Sequence, residues 1–169
     1  MSEKIHDREF SEWRVSLVGS ERLCIFKTVV KAIRPCTWWK ILRIRPRVRM
    51  KVLTVMKVLC GVYVFSNSPN NTQDCVMCTR NIQRTLKHVL FECTGMNYIR
   101  DKYVCELGKY GIDIKHGDDD VLRALLGDDE FWEVYDEINR VDGLCASANF
   151  VDEVIVRWNE GYASCNEHI

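Results

Sequence analysis

The sequence predicts a mainly α-helical domain with a four-ligand metal knuckle set into its middle. Three observations carry this. Apolar residues recur at helical spacing along most of the 169 residues. One C-x2-C-x9-H-x4-C pattern, Cys75, Cys78, His88 and Cys93, falls between the helical stretches. Strand-like alternation is clear only in Ile44-Arg-Pro-Arg-Val-Arg-Met-Lys-Val52, so at most one short β-hairpin is expected, with strands near 43–52 and 60–65 or within the knuckle.

The elements follow in order. In residues 1–34, Phe10, Trp13, Leu17 and Val18 share one helical face, and Gly19 is a stop. Ser20 caps a second helix whose stripe is Leu23, Phe26, Val30 and Ile33, and Pro35 ends it. Trp38 and Trp39 follow, as core or interface anchors or as a platform for nucleic-acid bases. In 40–65 the alternation competes with a stripe of Val48, Val52, Val55, Leu59 and Tyr63. The stripe continues past two turns, so a helix from near Arg47 is preferred, with Pro46 at its first turn. Ser66-Asn-Ser-Pro-Asn-Asn-Thr72 is a loop by composition. A helix start at Thr85 carries Leu86, His88, Val89 and Leu90, and Gly95 interrupts it. The next helix, 96–110, places Ile99, Tyr103 and Leu107 on one face, with Cys105 a structural thiol. Asp118-Asp-Asp120 reads as the cap and first turn of a helix reaching Leu126, since acids favour a helix N-terminus. Gly127-Asp-Asp-Glu130 opens a helix over 131–141, and a last helix spans 147–162.

Composition narrows the class. Hydrophobic residues make up 47%, too many for a disordered chain. No run of eighteen apolar residues occurs, so no membrane span is expected. The first residues lack the apolar segment of a secretory signal, which predicts an intracellular protein, nuclear or cytoplasmic. Nine cysteines in such a chain fit reduced thiols and metal binding better than a disulfide framework. The net charge of zero conceals a gradient. Residues 1–60 hold fourteen Lys/Arg against five Asp/Glu, and residues 101–169 hold six against seventeen. Either a nucleic-acid surface carries an acidic appendage, or the two halves attract one another. Three segments follow, read as parts of one compact unit: a basic one at 1–65, the knuckle with its following helix at 66–110, and acidic helices at 111–169.

The Cys/His pattern carries the chemistry. Two thiolates three apart on a tight turn can face one tetrahedral ion, and a His and a Cys further on can close its other side. A redox pair or plain buried thiols are the other readings. Thioredoxin-like chemistry needs the C-x-x-C at the head of a helix after a strand, whereas Cys78 precedes the polar Thr79-Arg80-Asn81 with no βαβ pattern around it. Zinc held by Cys75, Cys78, His88 and Cys93 fills its four positions, so the expected role is structural.

These residues resemble the zinc-binding (CCHC) region at the C-terminal end of non-LTR, LINE-type retrotransposon reverse transcriptases. The likeness rests on Cys75-x2-Cys78, Thr85, His88-Val-Leu-x-x-Cys93 and Arg100, with basic Leu42-Arg-Ile-Arg45 upstream and Leu122-x-x-Leu-Leu-Gly127 downstream. Arg84 stands where the family usually has Glu. No aromatic-x-Asp-Asp turn of a polymerase core is present, and no proline precedes an Asp as in the nuclease of some relatives. The resemblance implies a detached tail that binds RNA or a structured template and has neither activity. Binding would be electrostatic, through Arg43, Arg45, Arg47, Arg49 and Lys51, with Trp38 or Trp39 stacking on bases. The alternatives are a protein-interaction module, whose acidic C-terminal half takes a basic partner, and a retroelement remnant with no selected role.

Overall fold

A computed structural model of the chain describes residues 37–60, 75, 77–78, 85–112 and 117–166, with the backbone alone for 117–121 and 162–166. The helices expected over 1–34, the strand at 60–65 and the capping by Asp118-Asp-Asp120 lie outside the described residues or side chains. The described part is mainly helical, with no strand.

A new helix, α1 (Thr37–Ile44), begins two residues past Pro35. It buries Thr37, Trp38 and Ile41 and exposes Trp39, Lys40 and Arg43. Arg45 then leaves helical geometry at φ −128°, ψ 72° because Pro46 follows it. Pro46–Val48 forms a single 3-10 turn that leads into α2 (Arg49–Leu59). The strand-like alternation over 44–52 is thus a helix end, a turn and a helix start. The helical stripe was the sounder reading: Val52, Val55 and Leu59 are buried and Val48 is half-buried.

After the Cys/His segment, α3 (Asn97–Gly108) buries Ile99, Tyr103 and Leu107, the face that spacing predicted. Cys105 points out of this helix and is exposed, so it is neither a ligand nor a core thiol. The next helix, α4 (Gly117–Leu126), stops at Gly127, whose φ of +78° suits a glycine past a helix end. Asp128 caps the four-residue α5 (Asp129–Trp132), its Oδ1 accepting the Glu130 N–H at 2.9 Å while Arg123 Nε donates to its Oδ2 at 2.6 Å.

The C-terminal third departs from expectation. The helix predicted over 131–141 breaks after Trp132, and one helix, α6 (Glu137–Asn166), replaces the separate helix expected at 147–162. Asp136 supplies the start, since its Oδ1 accepts the Asn139 N–H at 2.9 Å. Gly143 does not interrupt it; a Cβ there would stand 2.5 Å from the Trp132 ring and 2.6 Å from Ile112 Cδ1. This glycine admits a large ring against the helix. Ser147 is no cap either. Its hydroxyl donates back to Gly143 O at 3.0 Å and pairs with Tyr103 Oη at 2.9 Å.

At 30 residues, α6 is the post on which α2, α3, α4 and the turn His88–Glu92 pack. Leu144, Ala148, Val151, Val154 and Ile155 face the core from it. Each fully buried Leu, Ile or Val contributes about 1.5–3 kcal/mol through water excluded from its surface. Along the same post one cation of the basic segment, Arg45, meets an acid, and two lysines find polar or acidic partners. Arg45 Nη2 lies 3.5 Å from Asp142 Oδ1, Lys51 Nζ donates to Asn149 Oδ1 at 2.7 Å, and Lys102 Nζ meets Glu153 Oε2 at 2.7 Å. These contacts are exposed or half-exposed, so they add little stability and mainly orient the side chains along α6. No described helix is long and apolar enough to cross a membrane.

Candidate metal centre

The four expected ligands converge from separate stretches of chain. One ligand atom from each of Cys75, Cys78, His88 and Cys93 lies within 4.8 Å of all the others. Cys75 Sγ is 3.6 Å from Cys93 Sγ, and Cys78 Sγ is 3.5 Å from His88 Nε2. Two thiolates sharing one tetrahedral ion at 2.3 Å stand about 3.8 Å apart, and a thiolate and an imidazole nitrogen about 3.6 Å. The donors therefore already stand close to ion-sharing distances, and this Cys3His group can hold a metal ion. No other group of three or more such donors occurs among the described residues.

Local backbone chemistry brings the second pair round. In an ordinary α-helix, five steps leave two side chains about 140° apart, too far to share an ion. The chain instead widens into one π turn, His88–Glu92, closed by the Cys93 N–H donating to His88 O at 2.7 Å. Cys93 then turns extended at φ −65°, ψ 119°, and ends the helix. So the expectation that His88 and Cys93 share a helix face holds only through this widened turn. Thr85 starts the segment: its Oγ1 accepts the His88 N–H at 3.0 Å, an N-cap placed three residues before the ligand.

The surroundings suit a cation. His88 is buried, with Nε2 turned to the thiols. Its Nδ1 is buried without a hydrogen bond, and the nearest carboxylate, Glu92 Oε2, stands 3.7 Å away. A ligating imidazole commonly offers its far N–H to such a carboxylate. Burial pushes the Cys93 thiol up to about 12, against the opposing pull of the Gly95 backbone N–H. A metal ion is the natural partner for a thiolate so enclosed, because it supplies the charge that burial withholds.

The loop bearing Cys75 and Cys78 is fastened by Met77. A Cβ at Gly95 would lie 2.2 Å from Met77 O, and one at Gly161 in α6 would lie 2.1 Å from Met77 Sδ. The two glycines therefore differ in what they tolerate. Gly95→Ala drives a methyl into a backbone carbonyl beside two ligands, so it is expected to cost about 1–3 kcal/mol and to weaken metal binding. Gly161→Ala meets only a flexible thioether and gains helix propensity, so its net effect should lie within about 0.5 kcal/mol. Thermal melts with metal titration check this pair; equal effects would mean that the carbonyl contact is not fixed. No spacing rule flags Met77 or Gly95 in this role, because both act by close approach.

The expected nucleic-acid contacts separate into two groups. Arg43, Arg47 and Arg49 are exposed and make no ion pair among the described residues, and Trp39 is 59% exposed. Arg45 and Lys51 are instead engaged with α6. Trp38 is 1% exposed, its Nε1 donating to Leu126 O at 2.9 Å, so it is a core anchor and cannot stack on a base.

Fold and site together define a mainly helical protein with a Cys3His group that could hold a metal ion. Compared with family models, curated proteins and solved structures, the chain matches none.

Proposed function

We propose that the chain is a non-enzymatic nucleic-acid-binding module stabilised by zinc, similar in kind to the tail of a LINE-type reverse transcriptase. Three thiolates and an imidazole are a donor set that suits zinc. Four protein ligands leave no position for water or substrate, so the ion contributes folding energy and not hydrolysis. The observation that carries the binding role is the surface of α1 and α2. Residues 37–60 contain Lys40, Arg43, Arg45, Arg47, Arg49, Lys51 and Lys57 and no acid. Trp39 and Arg43 are four apart on α1, a spacing that puts a stacking ring and a phosphate donor on one face. By contrast, Asp142, Asp152 and Glu153 of the acidic half already accept from Arg45, Thr54 and Lys102. That favours nucleic acid over a basic protein partner.

The test is the salt dependence of binding to single-stranded RNA. Three phosphate contacts predict a slope of about −2 to −3 in log affinity against log salt. Replacing Arg43, Arg47 and Arg49 together by Gln should flatten that slope while leaving metal content unchanged. A flat slope in the wild type would overturn the reading and favour the protein-interaction alternative.

A further inference from the structure

We infer that Arg100, on the first turns of α3, is a positioning residue for the metal centre: its guanidinium clamps the backbone that presents Cys93. The inference rests on the metal-centre reading and goes one step beyond its four ligands. Nη1 donates to Leu90 O at 3.3 Å, and Nη2 donates to Cys93 O and to Asn97 Oδ1. Leu90 lies inside the π turn and Cys93 just beyond it, so one planar fork spans both sides of the stretch that carries a ligand. A helix end leaves its last carbonyls without partners, and a widened turn is costlier to hold than an α turn. Arg100 donates to Leu90 O there from a different element, and it adds a second donor to Cys93 O, which already accepts the Met96 N–H at 3.0 Å.

The side chain is half-buried, so its bonds to Leu90 O and Cys93 O are partly shielded from competing water, while the one to Asn97 is exposed. Charge acts in the same direction. Three thiolates and one divalent ion leave a net single negative charge, and Arg100 brings a cation to the backbone of one of those thiolates. Asn97 Oδ1 in turn orients the fork. Lysine could keep the charge, but its ammonium is a point donor and cannot reproduce the fork.

Zinc affinity of the full-length chain, measured by competition with a chromogenic chelator, tests this directly. Outer-shell partners of metal ligands typically matter by about 10–100-fold in affinity. Arg100→Gln is expected to weaken zinc by that factor while the zinc-saturated variant keeps wild-type helical circular dichroism. Arg100→Lys should fall between the two. With cobalt(II) as probe, the visible ligand-field bands of R100Q should shift or broaden, which a fold-only role would not produce. Wild-type affinity and an unchanged cobalt spectrum in R100Q would overturn the assignment. So would loss of helical signal in the zinc-saturated variant, because Arg100 would then be holding the fold and not the ligand set. If the wild-type chain takes up no metal, the centre itself fails, an outcome distinct from a metal-loaded wild type beside an unaffected variant.

Discussion

Replacing Cys78 by Ser, or stripping the metal with a chelator, is expected to loosen the middle of the chain while its helical post survives. Structural zinc contributes on the order of 10–16 kcal/mol of apparent binding energy in small zinc domains. Shared among four ligands, the loss of one corresponds to roughly 2.5–4 kcal/mol. The effect should be local. The π turn His88–Glu92 and the start of α3 hang on the ligand cluster, so their amides should exchange faster once it is broken. Val52 and Val55 of α2 and Leu144 and Val151 of α6 are buried, and α2 packs on α6, so protection there should persist. Acid should mimic the chelator. Cys93 holds its proton up to about 12 in the metal-free site, so metal uptake must expel it. Each proton released lowers affinity about tenfold per unit fall in pH. Hydrogen exchange with and without chelator, on protein of known metal content, reads both effects. A folded wild type that carries no metal and exchanges identically in chelator would make the four residues ordinary core side chains.

How far the sequence could be read depended on the kind of interaction involved. The helical class, the buried face of α3 and the clustering of the four Cys and His side chains follow from spacing, because residues i, i+4 and i+8 must share a helix face and metal donors must cluster. What spacing could not reveal was contact between distant elements. Gly143 and Ser147 look like a break in α6, yet both serve packing across the fold, the one against Trp132 and the other toward Tyr103. The widened turn at His88 was equally hidden, since α and π turns differ by one hydrogen bond and not by composition. Arg45 and Lys51 looked like their exposed neighbours, and only the placement of α6 removed them from the free basic surface.

The adjacent tryptophans sharpen that distinction, because identical residue types one step apart are expected to fail in different assays. Trp38→Ala should cost about 3–5 kcal/mol of stability, the usual range for deleting a fully buried large aromatic. Two features place it at the upper end. The Leu126 carbonyl loses its indole donor, and the ring's space against Gly127, where a Cβ would come within 2.8 Å of Nε1, cannot be refilled by a glycine. The midpoint in urea should drop accordingly, with RNA binding lost only as the fold is lost. Trp39→Ala removes a ring that is 59% exposed, so stability should change by less than about 0.5 kcal/mol. Its cost should appear in RNA affinity instead, at about 1–3 kcal/mol for a lost base stack. Urea melts and RNA titrations on the two variants give four numbers whose pattern matters more than any one of them. Were W39A to bind RNA like the wild type while the arginine variant lost its salt slope, phosphate contact would stand without stacking. Were W39A instead to melt early, Trp39 would belong to a packed interface, and the basic face of α1 would be covered by protein and not by nucleic acid.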